Sequence, residues 1–301
     1  MNRLILALSL LALSGAAASP ARAMVDDKDV ARLVSFGGAC GKCDLSGRRL
    51  TNARFAGANF SGASLINADL RGASFLGSNF QNARLMNADL RGAEIMGSDF
   101  TGANFSNAQM DGVEAPATSF IRAVMTKVSA RGAELPGANL SFANLSGANF
   151  TGAELPAARL LHVDGRNANF ASAELDAAQL TAGRFENASF RGASLDRAVL
   201  SGSSFGGADF RGASLDGAVL AGANLAGAEG LRQSQLDEAC GDDKTRLPSG
   251  LRVKTCRGRT VIIRTNPGRP MAPLAPLAPP APPAPPSPPS PKPKMIVASH
   301  H

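Results

Sequence analysis

A bulky apolar residue at every fifth position constrains the fold of this chain more than any other feature of its sequence. The series starts with Leu45, Leu50 and Phe55, and its register holds as far as Leu225. Of the 15 phenylalanines, 13 occupy this central position, and a small residue, most often alanine, lies two positions before it. A period of five is explained neither by the periodicity of an amphipathic helix nor by the alternation of a half-buried strand.

A second period, of twenty residues, fixes how many five-residue repeats make one turn. The segment from Leu65 to Phe80 reappears, with few changes, from Leu85 to Phe100. The same lag maps RGASLDRAVL at Arg191 onto RGASLDGAVL at Arg211. Four repeats therefore form one coil, and equivalent residues stack on neighbouring coils, as in other solenoids. With about 4.8 Å between coils, about nine coils predict a rod of roughly 45 Å.

The repeat resembles that of the pentapeptide-repeat family, whose pattern A(D/N)LXX is present as ADLRG at Ala68 and as ANFTG at Ala148. The resemblance covers residues 43–229. It implies an all-β fold, a right-handed quadrilateral parallel β-helix, in which the central residue and the small residue two before it point inward. Burial of each Leu or Phe in such a tube contributes about 1.5 to 3 kcal/mol.

Sorting the central residues by coil face predicts columns of stacked phenylalanines. The columns are Phe60, Phe80, Phe100 and Phe120 on one face, and Phe150, Phe170, Phe190 and Phe210 on another. We interpret them as core and not as an aromatic binding surface. Small central residues in the stretch Asp111–Ala130 and at Gly165 predict looser packing there, with a local bulge.

The first 23 residues are predicted to be a secretory signal. Arg3 precedes the apolar stretch Leu4–Leu13, and Ala21-Arg22-Ala23 fits the small-x-small cleavage pattern. The alternative is an uncleaved N-terminal anchor. No other segment is apolar enough to cross a membrane, so the sequence predicts a periplasmic or extracellular protein with no transmembrane span after removal of the signal.

Two capping segments are predicted, because a stack of coils exposes unpaired strand edges and an apolar interior at each end. The N-terminal cap covers residues 24–42 and includes a short helix near Asp26–Val34. The C-terminal cap covers residues 230–264 and includes a helix over Ser234–Ala239.

The four cysteines allow three disulfide connectivities. Cys40 and Cys43 lie at one end of the predicted rod, whereas Cys240 and Cys256 lie at the other. Bonded cysteines have Cα atoms within about 7 Å, so Cys40–Cys43 and Cys240–Cys256 are the pairs expected if both bridges form. Export to an oxidising compartment favours this pairing. The alternative for Cys40-Gly41-Lys42-Cys43 is a redox or metal site.

The excess positive charge belongs to the C-terminal part of the chain. Residues 40–229 hold 16 Lys and Arg against 17 Asp and Glu, whereas residues 230–301 hold 11 against 4. Residues 265–301 form a basic, proline-rich segment that we predict to be disordered and extended. It acts either as a spacer or as a tether to an envelope protein or an anionic polymer.

One surface column of the predicted stack is strongly acidic. We call it the glutamate ladder, and it consists of Glu94, Glu114, Glu134, Glu154 and Glu174. Stacked like charges disfavour a sheet, and a nearby column of mostly arginines is expected to compensate only some of them. The ladder is predicted to bind a divalent cation such as Ca²⁺ or a basic partner surface. The alternative is a solvated face left by duplication of one coil.

The sequence argues against an enzyme. His162 stands alone at an outward position, and His300 and His301 end the tail, so no base with an orienting partner can be assembled. No cofactor is expected apart from Ca²⁺ at the ladder. The acidic, cytosolic family members that mimic DNA and bind gyrase differ from this chain, whose repeats are near neutral and whose signal predicts export. Nucleic acid is not an expected partner.

Two non-enzymatic hypotheses remain. The first is a cell-envelope interaction or scaffold protein, in which a rigid rod presents one face and the tail tethers it. The second is a module that binds a divalent cation or small ligand through the glutamate ladder.

Overall fold

The structure, a computed structural model, describes residues 38–256. These residues belong to one compact unit. The predicted signal, the predicted N-terminal helix near Asp26–Val34 and the predicted tail lie outside the described residues.

Parallel bridges between residues twenty apart join each coil to the next. Asp69 pairs with Asp89, and Asn149 pairs with Asn169. Two bridges extend into short strands, β1 (Arg54–Ala56) and β2 (Ser74–Leu76), which pair in parallel. The described stack is therefore a parallel β-helix with four repeats per coil, as the five- and twenty-residue periods predict, and it has the right-handed quadrilateral form that the family resemblance implies.

The polar residue before each centre explains the preference for Asp or Asn in the repeat. Its side-chain oxygen accepts a hydrogen bond from the backbone N–H two residues later, as in Asn79 with Gln81 at 2.9 Å and Asn149 with Thr151 at 3.0 Å. This bond satisfies a donor that the turn would otherwise leave free.

The second residue after each centre explains the glycine at the end of the repeat. At every fifth position from Lys42 to Gly222 the backbone is left-handed, with φ between 54° and 70°. Glycine and asparagine tolerate this conformation best, and they fill most of these turns. Repeats that carry a bulkier residue here are exceptions that need a separate explanation.

The predicted phenylalanine columns are buried and stacked, which confirms their interpretation as core. Phe80 and Phe100 have ring centroids 4.6 Å apart with nearly parallel planes, and Phe170 and Phe190 are 5.2 Å apart. All eight predicted residues are buried. Stacked rings add attraction beyond the burial of their area.

The prediction of looser packing and a bulge in the stretch Asp111–Ala130 is wrong. Ala115 and Ala130 are at most 1% exposed, and the N–H of each donates a 2.7 Å hydrogen bond to the next coil. In both repeats the small position two residues earlier holds a valine, Val113 or Val128, instead of alanine. The valine supplies the volume that the small centre lacks, so the column continues unbroken.

The gap predicted at Gly165 is also filled. Val163 occupies the small position of that repeat, and the ring of Phe185 packs against Gly165 from the next coil. A Cβ added at Gly165 would lie 2.6 Å from Cδ1 of Phe185, and one at Gly183 would lie 2.4 Å from Cε2. Both glycines thus make room for one phenylalanine.

Buried serine hydroxyls link the first coils to one another through hydrogen bonds. Ser98 Oγ accepts a 3.0 Å hydrogen bond from the backbone N–H of Ser78 and donates to the carbonyl oxygen of Phe75. Ser78 Oγ in turn accepts from the N–H of Ala58 at 3.1 Å. Most other coils place alanine at this position, so the serines are specific to this part of the stack.

Replacing Ser98 by alanine is expected to lower the free energy of unfolding by about 1 to 3 kcal/mol, because a buried N–H and a buried carbonyl lose their partner. Urea denaturation of the purified chain measures the change. Ser189→Ala, which removes a half-buried hydroxyl that has no hydrogen-bond partner within residues 38–256, is the matched control and should change stability much less. Equal losses in the two variants would contradict this account.

The C-terminal cap contains a helix, as predicted, but a shorter one. Helix α1 (Gln233–Leu236) buries Leu236, and Gln235 Nε2 donates to the carbonyl oxygens of Phe210 and Ala213 at 2.9 and 2.7 Å. Strands β3 (Cys240–Gly241) and β4 (Lys254–Thr255) pair in parallel above it. The cap therefore satisfies carbonyls at the open end of the stack.

Both expected disulfides are present. The Cα atoms of Cys40 and Cys43 are 5.2 Å apart, and those of Cys240 and Cys256 are 4.8 Å apart. The first pair lies at the start of the described stack, and the second joins strand β3 to the residue that directly follows strand β4 in the cap. Each disulfide therefore fastens one end of the coils.

Candidate partner-binding face

The glutamate ladder forms as the period of twenty predicts. Consecutive ladder residues pair across neighbouring coils, and Ser74 and Ser194 continue the column at its two ends. All five carboxylate side chains are exposed. At coil spacing, two unscreened charges in water repel by about 1 kcal/mol, so the column carries a real, if salt-sensitive, electrostatic cost.

Within residues 38–256, no ladder carboxylate has an ion-pair or hydrogen-bond partner. The expected partial compensation by the neighbouring arginine column is therefore wrong. Several of those arginines bind the aspartate of their own repeat instead: Arg71 binds Asp69, and Arg91 binds Asp89, each through two hydrogen bonds of 2.6 to 2.8 Å. A carboxylate two residues away competes better for the guanidinium than one on another face.

An apolar column of exposed and half-buried residues runs beside the ladder. We call it the proline corner, and it consists of Leu76, Met96, Pro116, Pro136 and Pro156. Leu76 and Met96 expose 43% and 50% of their surface. Two of only three large hydrophobic residues that are exposed in the described part of the chain thus lie next to unpaired carboxylates.

A shallow depression lies where the ladder begins. Its volume is about 420 Å³, and it is lined by Asn52, Arg54, Gly72, Ser74, Leu76 and Glu94. It exists because the small side chain of Ser74 stands in the column between the long side chains of Arg54 and Glu94.

The ladder does not bring its carboxylates together as a metal centre would. No three His, Cys, Asp or Glu side chains between residues 38 and 256 form a group that could hold a metal ion. Binding of Ca²⁺ stays a prediction, and calorimetric titration with Ca²⁺ tests it.

Four aspartates each have a pKa that is lowered by a paired arginine. The hydrogen bond from Arg91 lowers the pKa of Asp89, and the equivalent arginine does the same for Asp69, Asp164 and Asp209. A lowered pKa in the folded state adds stability above the unfolded value of about 3.8, and this stability is lost as the pH falls further.

We therefore expect the melting temperature to fall as the pH is lowered from about 5 toward 3. Circular dichroism of the wild type and of the double variant Arg71→Gln, Arg91→Gln measures the difference. The variant should lose less stability over this range, because two of the lowered pKa values return toward normal. Identical pH profiles would contradict the role assigned to these pairs.

A second exposed cluster lies on another corner of the coils. We call it the aromatic corner, and it consists of Arg122, Phe142 and His162. The Phe142 and His162 rings stack with centroids 5.1 Å apart, and the Arg122 guanidinium lies 5.8 Å from the centre of the Phe142 ring. Phe142 is 52% exposed. His162 is exposed, as predicted, but it is not alone.

Sequence reasoning missed Phe142 although the signal was available. It is one of the two phenylalanines outside the central position, and it lies twenty residues after Arg122 and twenty before His162. The coil period, applied to outward positions such as those of the glutamate ladder, predicts this stack.

The fold and the repeats define a solenoid of the β-helix class. Two family models described as pentapeptide repeats match the chain, one over residues 40–77, 63–102, 78–114, 103–141 and 143–181, and the other over residues 185–229. Because these matches cover more than half of its length, the protein belongs to the pentapeptide-repeat family. The comparison with curated proteins gives no match.

Solved structures similar to this chain are pentapeptide-repeat proteins. HetL, involved in heterocyst differentiation regulation in the cyanobacterium Nostoc sp. strain PCC 7120, is 26% identical over 73% of this chain and 96% of its own, with a TM-score of 0.48. Full-length QnrB1, a plasmid-mediated fluoroquinolone resistance protein, is 23% identical over 68% of this chain and 94% of its own, with a TM-score of 0.33. Rfr23 from the cyanobacterium Cyanothece 51142 is 24% identical over 38% and 63%, with a TM-score of 0.29.

None of the helices in the part of the chain that the structure describes is long and apolar enough to span a membrane.

Proposed function

We propose that this protein is a non-enzymatic interaction scaffold of the cell envelope, in which the coil stack presents its acidic face to a basic protein surface. The acidic face consists of the glutamate ladder and the adjoining proline corner. The observation that carries the proposal is the stack of five exposed carboxylates without an ion-pair partner in residues 38–256. A partner that brings lysines or arginines to this face removes a repulsion that the free protein retains.

The construction of the stack supports this role. Backbone hydrogen bonds link the coils throughout, for example from Leu135 to Glu154 and from Leu155 to Glu174, both at 2.7 Å. The ladder is therefore held on a regular backbone, and little conformational entropy is lost when a partner binds. The apolar proline corner adds contact area that excludes water beside the charges.

Two features support a location in the envelope. The sequence predicts a secretory signal, and the two disulfides would persist in an oxidising compartment. The proline-rich, basic C-terminal segment is proposed to tether the stack to an envelope protein or an anionic polymer.

Capture of proteins from an envelope extract by the immobilised full-length chain tests the proposal. The ladder variant carries Glu114→Gln, Glu134→Gln and Glu154→Gln. The matched control carries Asp216→Asn, Glu229→Gln and Asp243→Asn, which remove the same formal charge from exposed positions outside the ladder. Wild type and control should retain the same basic protein, and the ladder variant should lose it.

A further variant distinguishes binding by the acidic face from binding by the C-terminal tail. Deletion of residues 257–301 should reduce retention of anionic polymer while the ladder still binds its basic partner. Capture of that partner by the ladder variant at the wild-type level would contradict the proposed role of the acidic face.

A further inference from the structure

A basic face lies opposite the glutamate ladder. Each coil has four faces of five residues, so positions ten apart along the chain lie on opposite faces. Arg84 lies ten residues before Glu94, and Arg184 lies ten residues after Glu174. We define the basic face as this opposite face together with its two corners. Its cations at the height of the ladder are Arg84, Arg122, Lys127, Arg166 and Arg184.

Charges of opposite sign are separated between these two faces, although the repeats as a whole are near neutral. At the height of the ladder the basic face has five cations against two carboxylates, Asp164 and Glu186, which gives a formal charge of +3. The face of the ladder, counted with its two corners, has seven carboxylates against two arginines, which gives −5. The charged residues of this set outside the ladder are Asp111, Asp176, Arg91 and Arg131.

Most cations of the basic face are available to a partner. The four that are exposed and have no ion-pair partner within residues 38–256 are Arg84, Arg122, Lys127 and Arg184. Arg166 is engaged by Asp164 at 2.7 Å. Arg122 and Lys127 also occupy left-handed turn positions, with φ of 57° and 55°, where long side chains are uncommon. The stack thus holds unpaired charges of opposite sign on opposite faces.

Exposed apolar residues border both charged faces on the same side. The basic face shares the aromatic corner with the face of Arg159, and the face of the ladder shares the proline corner with that same face. Phe142 is 52% exposed and has φ of 63°, so neither core packing nor backbone preference explains it. It follows Pro136 by six residues, which places the two within about 1.5 Å in height.

We infer that the basic face of one copy of this chain binds the acidic face of a second copy, with the two stacks side by side and parallel. Opposite faces point in opposite directions, so a copy moved sideways without rotation sets its basic face against the acidic face of the first copy. The same movement sets its aromatic corner against the proline corner, because both corners border the face of Arg159. This inference rests on the proposed function, since it names the basic surface that the acidic face binds.

The coil register supplies the charged contacts of this arrangement. Height along the stack increases with residue number, by about 4.8 Å for every twenty residues. Lys127 therefore lies at a height between Glu114 and Glu134 of the second copy. Arg122 lies in the same interval, at the other corner of the basic face. Opposite charges then meet across the contact, and the apolar corners close one edge of it.

The contact is heterologous, because it joins different faces of two identical chains. A copy that has bound through one face keeps the other face free, so association continues beyond the dimer. In sedimentation velocity, the full-length wild type is expected to form species larger than a dimer as its concentration rises. Added salt should dissociate them by screening the charges.

A charge exchange tests the contact. The basic-face variant carries Arg122→Glu and Lys127→Glu, and the acidic-face variant carries Glu114→Lys and Glu134→Lys, all at exposed positions. Each variant alone should associate at least about tenfold more weakly than the wild type, because like charges then oppose each other. An equimolar mixture should associate as the wild type does, because every contact between the two variants joins opposite charges.

The matched control carries Arg159→Glu and Arg252→Glu. It makes the same change in net charge as the basic-face variant, at exposed positions on the third face and in the C-terminal cap, and it should associate as the wild type does.

Phe142→Asn tests the apolar edge without a change of charge. Asparagine tolerates the left-handed backbone, so the variant should keep the circular dichroism spectrum of the wild type. It should associate at least about threefold more weakly, because the ring no longer covers the proline corner of the next copy.

Four results would each overturn the inference. They are a wild type that stays monomeric, an association that stops at the dimer, an exchange mixture that stays monomeric, and a control variant that is weakened as much as the basic-face variant. The last result would mean that net charge, and not the two faces, governs association.

The outcomes also separate this inference from the proposed function. If the charge exchange fails while the ladder variant still loses its partner from the envelope extract, only self-association is refuted. If the exchange succeeds while the ladder variant captures proteins from the extract as the wild type does, self-association stands and the external partner is refuted.

Discussion

Replacing Phe185 by alanine is expected to lower the free energy of unfolding by about 4 kcal/mol, near the upper range for a buried phenylalanine. The ring is fully buried and contacts Phe205 at 5.4 Å and Phe190 at 5.8 Å. It also fills the space left by Gly165 and Gly183, and neither glycine has a side chain that could move into the cavity.

Urea denaturation of the full-length chain measures this loss. Phe142→Ala is the control, since it removes the same ring from an exposed position and should change stability by less than about 1 kcal/mol. A loss at Phe185 as small as that at Phe142 would mean that the coils collapse into the cavity and that the ring is not needed there.

Replacing Gly165 by leucine, the residue that the repeat favours at its centre, is expected to destabilise the protein by about 3 kcal/mol through overpacking. The first added carbon alone would come within 2.6 Å of Phe185 Cδ1. Contacts this short force the ring or the backbone to move. A substitution toward the family pattern should therefore weaken this member of the family.

The double variant Gly165→Leu, Phe185→Ala decides whether the two residues share one space. Its loss should be smaller than the sum of the two single losses, because the leucine fills the cavity that the alanine leaves. Additive losses would contradict the assignment of the gap at Gly165 to the ring of Phe185.

The sequence predicted the architecture because both periods report directly on the backbone. A five-residue period places Leu45, Leu70 and Phe100 inward, and the lag of twenty sets which residues stack. It also predicted the ladder, since outward residues follow the same lag. These features depend only on position along the chain.

Features that depend on volume or on competing partners were not predicted. Val163 and Phe185 compensate for Gly165 across two coils, which becomes visible only when neighbouring side chains are considered together. Arg71 was expected to compensate glutamates and instead binds Asp69 at 2.7 Å. The period predicts the column in which an arginine lies, but it does not predict which carboxylate the arginine pairs with.

Helix α1 is shorter than predicted because the chain leaves the helix after Leu236 in order to reach strand β3 at Cys240. The residue pattern of Ser234–Ala239 does not indicate that the next residues must form a bridge with the last coil. The bridge between Val219 and Cys240 is that return.

The central claim is that the glutamate ladder is left unpaired for a partner, at a cost to the stability of the free chain. The measurement that tests it most directly is the melting temperature of the full-length wild type and of Glu114→Gln, Glu134→Gln, Glu154→Gln at low and high salt. The variant should melt higher at low salt, and added salt should close the difference by screening the repulsion. A variant that melts at the same temperature as the wild type, or lower, would contradict the claim, because the carboxylates would then be stabilised within the chain itself.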